Sequence, residues 1–177
     1  MERIRPIKYR PDWSQIDLRN LKKYFTQFKL TPEDVRKSNP WASQEEIDEW
    51  VTKSDRWSHY KQARFSPKSL LPRGLEEVNT LLGYGVANSI NLMLLPAGQE
   101  IPDHADIIRK CGINFSKQMG APIIVEDIEY NFDRFVFDST VKHSVPVHTR
   151  DRITLQVAFY DNEYSDILNR LQKDGWV

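Results

Sequence analysis

His104, Ala105 and Asp106 close a stretch that reads Leu94-Leu95-Pro96-Ala97-Gly98-Gln99-Glu100-Ile101-Pro102-Asp103-His104-Ala105-Asp106: an apolar strand, a Pro/Gly turn and a short extended run. On extended backbone alternate side chains share a face, so His104 and Asp106 point the same way and Ala105 the other. An imidazole and a carboxylate at that spacing can supply two members of a 2-His-1-carboxylate facial triad, a ligand set that suits Fe(II) and leaves the opposite positions open. The third ligand must come from elsewhere in the chain, and His143 is the candidate. By itself His-x-Asp is a loose motif that reads more readily as a surface ion pair than as a metal site, and a second cluster is what gives it weight.

That cluster runs Phe135-Val136-Phe137-Asp138-Ser139-Thr140-Val141-Lys142-His143-Ser144-Val145-Pro146-Val147. It reads as a strand, an Asp-Ser-Thr turn and a second strand headed by His143, which would return an imidazole to a barrel mouth. Arg152 follows nine residues later and opens a final strand, with Thr154 on the same face. If the chain reverses between Val147 and Arg152, the last two strands pair antiparallel and Arg152 shares the face of His143. A guanidinium buried among apolar walls needs an anion, and its fork matches a carboxylate through two parallel hydrogen bonds. Thr154 could add another bond. A dicarboxylate anchored at one end by Arg152 could then chelate a metal with its other end.

The set His104-Ala105-Asp106, Phe137-Asp138-x-Thr140-x-x-His143 and Arg152-Ile153-Thr154 resembles the Fe(II)/2-oxoglutarate-dependent oxygenases. The Phe-Asp turn before the second histidine and the arginine after it are most similar to the aspartyl/asparaginyl β-hydroxylase-like branch. The likeness spans residues 90 to 159. Members of that branch carry glycine where this chain has Asp106, and basic residues on the strand that here reads Ile113-Asn114-Phe115-Ser116. The full triad is therefore closer to the wider superfamily, prolyl hydroxylases included. The resemblance implies a double-stranded β-helix, with His104, Asp106 and His143 as catalytic metal ligands, Arg152 and Thr154 as the 2-oxoglutarate anchor, and Asn114 as a helper on the inward face. It implies Fe(II), 2-oxoglutarate and O2, with succinate and CO2 as co-products, and hydroxylation of a peptide side chain or a small molecule. Two other readings stay open: a cupin-like metal enzyme that does not use 2-oxoglutarate, and a non-catalytic binding module on the same barrel. The Arg152-x-Thr154 anchor argues against the first, and the complete ligand set against the second.

The elements that must position these groups fall into two rhythms. From residue 86 the chain is extended, with strands expected at Ser89–Leu95, Glu100–His104, Cys111–Ser116, Pro122–Asp127, Phe135–Phe137, Lys142–Val147 and Arg152–Tyr160. So many short strands at near-regular spacing suggest a jelly roll. Residues 161–177 then close the chain with a helix over Asn162–Lys173, its inner stripe being Tyr164, Ile167, Leu168 and Leu171. Residues 1–85 read as mainly helical. Ser14 with Asp17, and Ser43 with Glu46, have capping-box spacing, and Thr31-Pro32-Glu33-Asp34 is a helix start with a hydroxyl cap, an early proline and acids at the positive dipole end. Leu18, Leu21, Phe25 and Phe28 form one stripe, and Ile47, Trp50, Val51 and Trp57 another on a helix running toward Pro67; a short helix through Leu75, Val78, Leu81 and Leu82 stops at Gly83 or Gly85. The expectation is one α+β domain over 1–177, a cupin-like jelly-roll core at 86–160 with N-terminal helices and a C-terminal helix buttressing it.

Composition narrows the setting. The 177 residues suit a single domain, and 25 basic against 25 acidic side chains leave no global field for nucleic acid or anionic membrane. No apolar run is long enough to span a bilayer, and one cysteine cannot form an internal disulfide, so the expected setting is cytoplasmic, with oligomeric state open. The remaining polar residues have plain readings. His148 reads as exposed loop, His59 as a helix-packing or surface histidine, and Cys111 as a small strand residue. Arg109 and Lys110 read as solvated loop or as a greeting for an acidic substrate. Asn91 reads as an edge-strand amide or a pocket group, and Asp138 as the side chain that holds its own turn.

Overall fold

Residues 89–95 and 152–159 alternate in chemistry, polar side chains falling on one face and large apolar ones on the other, and this alternation organises the molecule. The computed structural model describes residues 2–16, 26–27, 30–54, 61–65, 76–85, 88–118 and 121–177. Strands β4 (Asn88–Leu95) and β11 (Arg152–Phe159) pair antiparallel along their whole length, Arg152 opposite Leu95 and Phe159 opposite Asn88. On the other side β11 pairs with β6 (Cys111–Ser116), which pairs with β9 (Arg134–Asp138), and β9 with the N-terminal β1 (Ile4–Pro6). Beyond β4 lie β3 (Lys61–Phe65) and β2 (Thr26–Gln27), completing a seven-stranded sheet in the order β1-β9-β6-β11-β4-β3-β2. A second, four-stranded sheet has the order β5-β10-β7-β8, from β5 (Ile101–His104), β10 (His143–Val145), β7 (Ile123–Val125) and β8 (Ile128–Tyr130).

Directly opposed residues in an antiparallel pair share a face. One face of the large sheet therefore carries Ile90, Leu92, Ile113, Phe115, Leu155, Val157 and Phe159. These join Val78, Leu81, Tyr164, Ile167 and Leu171 in the main apolar core, on which α3 (Glu76–Leu82) and α4 (Tyr164–Lys173) lie. The other face carries Phe135 and Phe137, which cluster with Ile123 and Val125 of the small sheet. That face also carries a buried polar series, Asn91, Asn114, Ser116, Arg152, Thr154 and Gln156. Two facing antiparallel sheets with helices on the outside fit a cupin-like jelly roll, and the polar series lines the space between the sheets.

The helix starts follow the capping chemistry of the sequence. In α1 (Pro32–Ser38) Thr31 and Asp34 cap each other reciprocally. At α2 (Gln44–Ser54) the Glu46 carboxylate accepts from the Ser43 amide at 2.7 Å and the Ser43 hydroxyl from the Glu46 amide at 3.2 Å. Among the described residues no helix is long and apolar enough to cross a membrane.

Several elements differ from the expectation. The N-terminal part is helical in its longer elements but also supplies three strands; β3 lies where the tryptophan stripe pointed to a helix running toward Pro67. Its pairing with β4 fixes it in place of helical periodicity. The Leu18–Phe28 stripe, Trp57 and His59 fall outside the described residues. Asp17, and with it the Ser14–Asp17 capping box, also lies outside the described residues; just before it Asp12 caps the short 3-10 turn Trp13–Gln15, its carboxylate accepting from the Ser14 amide at 3.0 Å. The expected strand Pro122–Asp127 is the first arm of a hairpin, β7–β8, turning at Glu126 and Asp127 with φ of 49° and 65°. The last two strands do not pair with each other. β10 pairs with β5 and β7 and β11 with β4 and β6, so His143 and Arg152 belong to opposite sheets and reach the same interior from its two sides.

Candidate metal centre

His104 ends β5 and His143 begins β10, and the antiparallel register places them directly opposite one another. Their rings lie 4.1 Å apart between centroids, tilted by 53°. The Nδ1 of His104 is 2.8 Å from the Pro102 carbonyl and that of His143 is 2.9 Å from the Val141 carbonyl. A carbonyl only accepts, so each Nδ1 carries the proton and each Nε2 the lone pair, the tautomer a metal ligand needs. Both Nε2 atoms face Asp106: His104 Nε2 lies 3.8 Å from Oδ1, and His143 Nε2 lies 4.0 Å from Oδ2. One donor atom from each of the three residues lies within 4.8 Å of the others, so the group could hold a metal ion. Two imidazole nitrogens and one carboxylate oxygen are a donor set that suits a first-row divalent ion such as Fe(II).

Asp106 lies past the end of β5, and its position is set by the turn after β9. The Asp106 amide donates to the Ser139 carbonyl at 2.8 Å, and the Ser139 hydroxyl donates to the Arg109 carbonyl at 2.8 Å. That turn is held in turn by Asp138, whose Oδ1 accepts from the Thr140 amide at 3.0 Å and the Thr140 hydroxyl at 2.5 Å, while Oδ2 accepts from Arg3 at 2.8 Å. Asp138 is therefore the turn-holding residue the sequence suggested. Phe137, whose ring stands edge-on to His143 at 5.0 Å, forms the apolar floor.

Burial sets the charge states. It pushes His143 down to about 4, the nearby Asp106 carboxylate offsetting only part of the effect. His104 is lowered for the same reason. Burial alone would raise Asp106, but Arg109, His143 and His104 around it outweigh that and hold it below the ordinary carboxylate value. At neutral pH the centre presents neutral imidazoles and an ionised carboxylate, the protonation states that ligate.

The tie between Arg109 and Asp106 is what sequence reasoning missed. In place of a solvated loop side chain, Arg109 has its Nε 2.6 Å and its Nη2 2.5 Å from Asp106 Oδ2, with the guanidinium 5.4 Å over the Phe137 ring. The i,i+3 spacing from Asp106 was the available signal. Lys110, by contrast, points away to an ion pair with Glu163.

The proposed cosubstrate residues lie on the inward face of the large sheet. Arg152 is buried, and its Nη1 reaches the Pro122 carbonyl at 3.5 Å, next to β7 of the opposite sheet. One rung along β11, the Thr154 hydroxyl meets that of Ser116 at 3.3 Å; on the next, Gln156 donates to Asn114 at 3.1 Å. Asn91 opposes Gln156 on an interior strand, so the edge-strand reading is excluded, and its amide donates to Ser89 at 3.1 Å. His148 is not an exposed loop residue. It is 4 % exposed, with neither ring nitrogen hydrogen-bonded to protein, because the connection between β10 and β11 folds against the turn at Gly98, whose amide donates to the His148 carbonyl at 2.8 Å. Cys111 is fully buried and its thiol is pushed well up by desolvation. The basic N-terminal side chains pair within the chain, Arg3 with Asp138, Arg5 with Glu2 and Arg10 with Asp133.

No protein-family model matches the sequence, and no curated protein matches it. Similar solved structures include a prolyl-4-hydroxylase of Pseudomonas putida, at 16% identity and a TM-score of 0.45 over 58% of this chain and 72% of that one. A predicted oxalate decarboxylase of Thermotoga maritima overlays at 18% identity and a TM-score of 0.39, over 57% and 80% of the two chains. The cupin domain of a transcriptional regulator of Enterobacter cloacae overlays at 9% and 0.42, over 59% and 99%. All three stay below a TM-score of 0.5, and the reading of function therefore rests on this chain's own side chains.

Proposed function

We propose that the protein is an Fe(II)- and 2-oxoglutarate-dependent dioxygenase on a double-stranded β-helix, hydroxylating a peptide side chain or a small molecule. The observation that carries this reading is the cross-strand pair His104–His143, both Nδ1 atoms tied to backbone carbonyls and both Nε2 atoms turned to Asp106. Bound ferrous iron would supply the redox chemistry, in which O2 and 2-oxoglutarate give succinate and CO2 and one oxygen atom enters a substrate C–H bond. His104, Asp106 and His143 would hold the ion. Arg152, on the opposite sheet and facing the same interior, would bind the distal carboxylate of 2-oxoglutarate through its fork, with Thr154 beside it. Asn114, fixed by Gln156, would offer its amide to the bound cosubstrate. Phe137 and the apolar residues between the sheets would keep water from the reacting atoms. Of the branches within this class, the Phe137-Asp138 turn favours the aspartyl/asparaginyl β-hydroxylase-like one, while the carboxylate at Asp106 favours the wider superfamily.

The test is metal analysis and anaerobic cosubstrate titration on the same variants. Wild-type protein loaded with Fe(II) should develop a weak visible charge-transfer band on addition of 2-oxoglutarate. His104→Ala and His143→Ala should lose most of the iron, whereas Arg152→Ala should keep it and bind 2-oxoglutarate more weakly. Iron binding with no band, and no succinate in air, would point instead to a cupin-like metal enzyme without this cosubstrate. Unchanged metal content in both histidine variants would rule out the centre itself.

A further inference from the structure

Arg109 engages one oxygen of the triad carboxylate and leaves the other alone. Nε and Nη2 both lie on Asp106 Oδ2, at 2.6 and 2.5 Å, an oxygen that His143 Nε2 approaches only to 4.0 Å, while Oδ1 faces His104 Nε2 at 3.8 Å. An arginine fork commonly spans both oxygens of a carboxylate. Here the guanidinium is held off that arrangement by its own anchors: it lies over Phe137 at 5.4 Å, and the Arg109 backbone carbonyl accepts from the Ser139 hydroxyl at 2.8 Å. Its side chain is only 16% exposed, so water does not compete freely for either bond.

We propose that Arg109 is a positioning residue that restricts Asp106 to ligation through a single oxygen, Oδ1. The proposal rests on the metal-centre reading above. A carboxylate oxygen offers about two acceptor sites, and the Nε hydrogen bond together with the close Nη2 ion-pair contact occupies Oδ2. An octahedral ion held by two imidazoles and one oxygen keeps three positions. If Asp106 chelated through both oxygens only two would remain, and a 2-oxo acid chelate would take both. Arg109 thereby preserves the last position while the cosubstrate is bound. Lysine can place one donor on Oδ2 but lacks the planar fork, so it should substitute in part.

The test uses the full chain loaded anaerobically with Fe(II), nitric oxide as the probe of the remaining position, and electron paramagnetic resonance as the readout. Wild-type protein should give the iron–nitrosyl signal both without and with saturating 2-oxoglutarate. Arg109→Leu should lose roughly 10- to 100-fold in iron affinity, as is usual for residues that orient a ligand. At saturating iron it should give the signal without 2-oxoglutarate and lose most of it with 2-oxoglutarate, and Arg109→Lys should recover much of the loss. Arg109→Met, which keeps an unbranched stem over Phe137, carries the test if the leucine variant does not fold. A full signal with 2-oxoglutarate in the apolar variants overturns the proposal and leaves the metal centre standing. Complete loss of iron from both also overturns it, since Arg109 would then be holding the metal in place of limiting how Asp106 does. Failure of the wild type to bind iron removes the metal-centre reading, and this proposal with it.

Discussion

Gly112 sits on the inward face of β6 opposite Phe137, and a methyl group there would meet the ring: a Cβ built on Gly112 falls 2.6 Å from Phe137 Cε1. That is roughly 1 Å short of an ordinary carbon–carbon contact. Phe137 is 1% exposed and boxed in by Phe135 at 5.7 Å, His143 at 5.0 Å and Arg109 at 5.4 Å, so the ring can retreat only by disturbing the candidate metal centre. With an unstrained backbone, Gly→Ala would stabilise by about 0.4–1 kcal/mol through the unfolded chain, whereas overpacking a dense core costs about 1–3 kcal/mol. The clash should win, leaving Gly112→Ala about 1–2 kcal/mol less stable, which for a chain of this size lowers the midpoint of thermal unfolding by about 2–8 °C. The same displacement should weaken Fe(II) binding, measured anaerobically by competition with a chelator of known affinity. Adding Phe137→Leu should return part of both losses, with a coupling of at least about 0.5 kcal/mol between the two sites. A Gly112→Ala protein as stable as wild type and with the same metal affinity would show that Phe137 transmits nothing to His143.

The remaining expectations concern charge, turns and a buried imidazole. His143 has its pKa depressed from 6.5 to about 4, so the unfolded chain binds a proton that the folded protein refuses. Metal-free protein should therefore lose stability as the pH falls from about 6.5 to about 4, and His143→Asn should lose less over that window; urea midpoints at pH 7, 5.5 and 4.5 decide it, a flat wild-type profile being the contrary result. Asp127 occupies a left-handed conformation at φ 65° with no glycine to ease it, and its ion pair with Lys142 is exposed. Asp127→Gly should stabilise the hairpin by about 1 kcal/mol, read from chemical denaturation, and a loss would mean the ion pair outweighs the backbone term. His148 buries two ring nitrogens without protein partners, and His148→Leu should be neutral or stabilising by up to about 2 kcal/mol; marked destabilisation would reveal an interior partner for the ring.

The grouping of His104, Asp106 and His143 was legible in part because its first half is local. The His-x-Asp spacing puts His104 and Asp106 close in the chain, although Asp106 lies past the end of β5 and is held by its amide bond to the Ser139 carbonyl, and the Asp138 turn marks where a second strand must begin. The opposition of His104 and His143 was not legible, since no local feature of either strand names its partner; only the register of the small sheet supplies it. The tie of Arg109 to Asp106 was missed because Asp-x-x-Arg is an ordinary surface spacing, and what makes this one different is the Phe137 ring beneath it, contributed by β9. The β7–β8 hairpin was missed because Glu126-Asp127 lacks the Asn-Gly or Asp-Gly chemistry that advertises such a turn. β3 was missed because strand identity there comes from pairing with β4 and not from its own alternation.

The pairing expected of β10 and β11 fails in a more instructive way. Strands joined by a short connection are ordinarily neighbours in a sheet, and on that basis Arg152 and His143 share a face. Here the connection from Pro146 to Asp151 crosses between sheets instead, so β10 and β11 lie in different sheets. Neighbouring positions on one face would have set the guanidinium beside the imidazole, leaving little room for a ligand between them. With the two groups on different sheets, the buried hydroxyl and amide side chains at Thr154, Ser116, Gln156 and Asn114 continue the polar lining from Arg152 along the large sheet. A small dicarboxylate held by Arg152 at one end and an ion at the other would bridge the two sheets, so the topology that contradicts the expected pairing is the one the proposed chemistry would use.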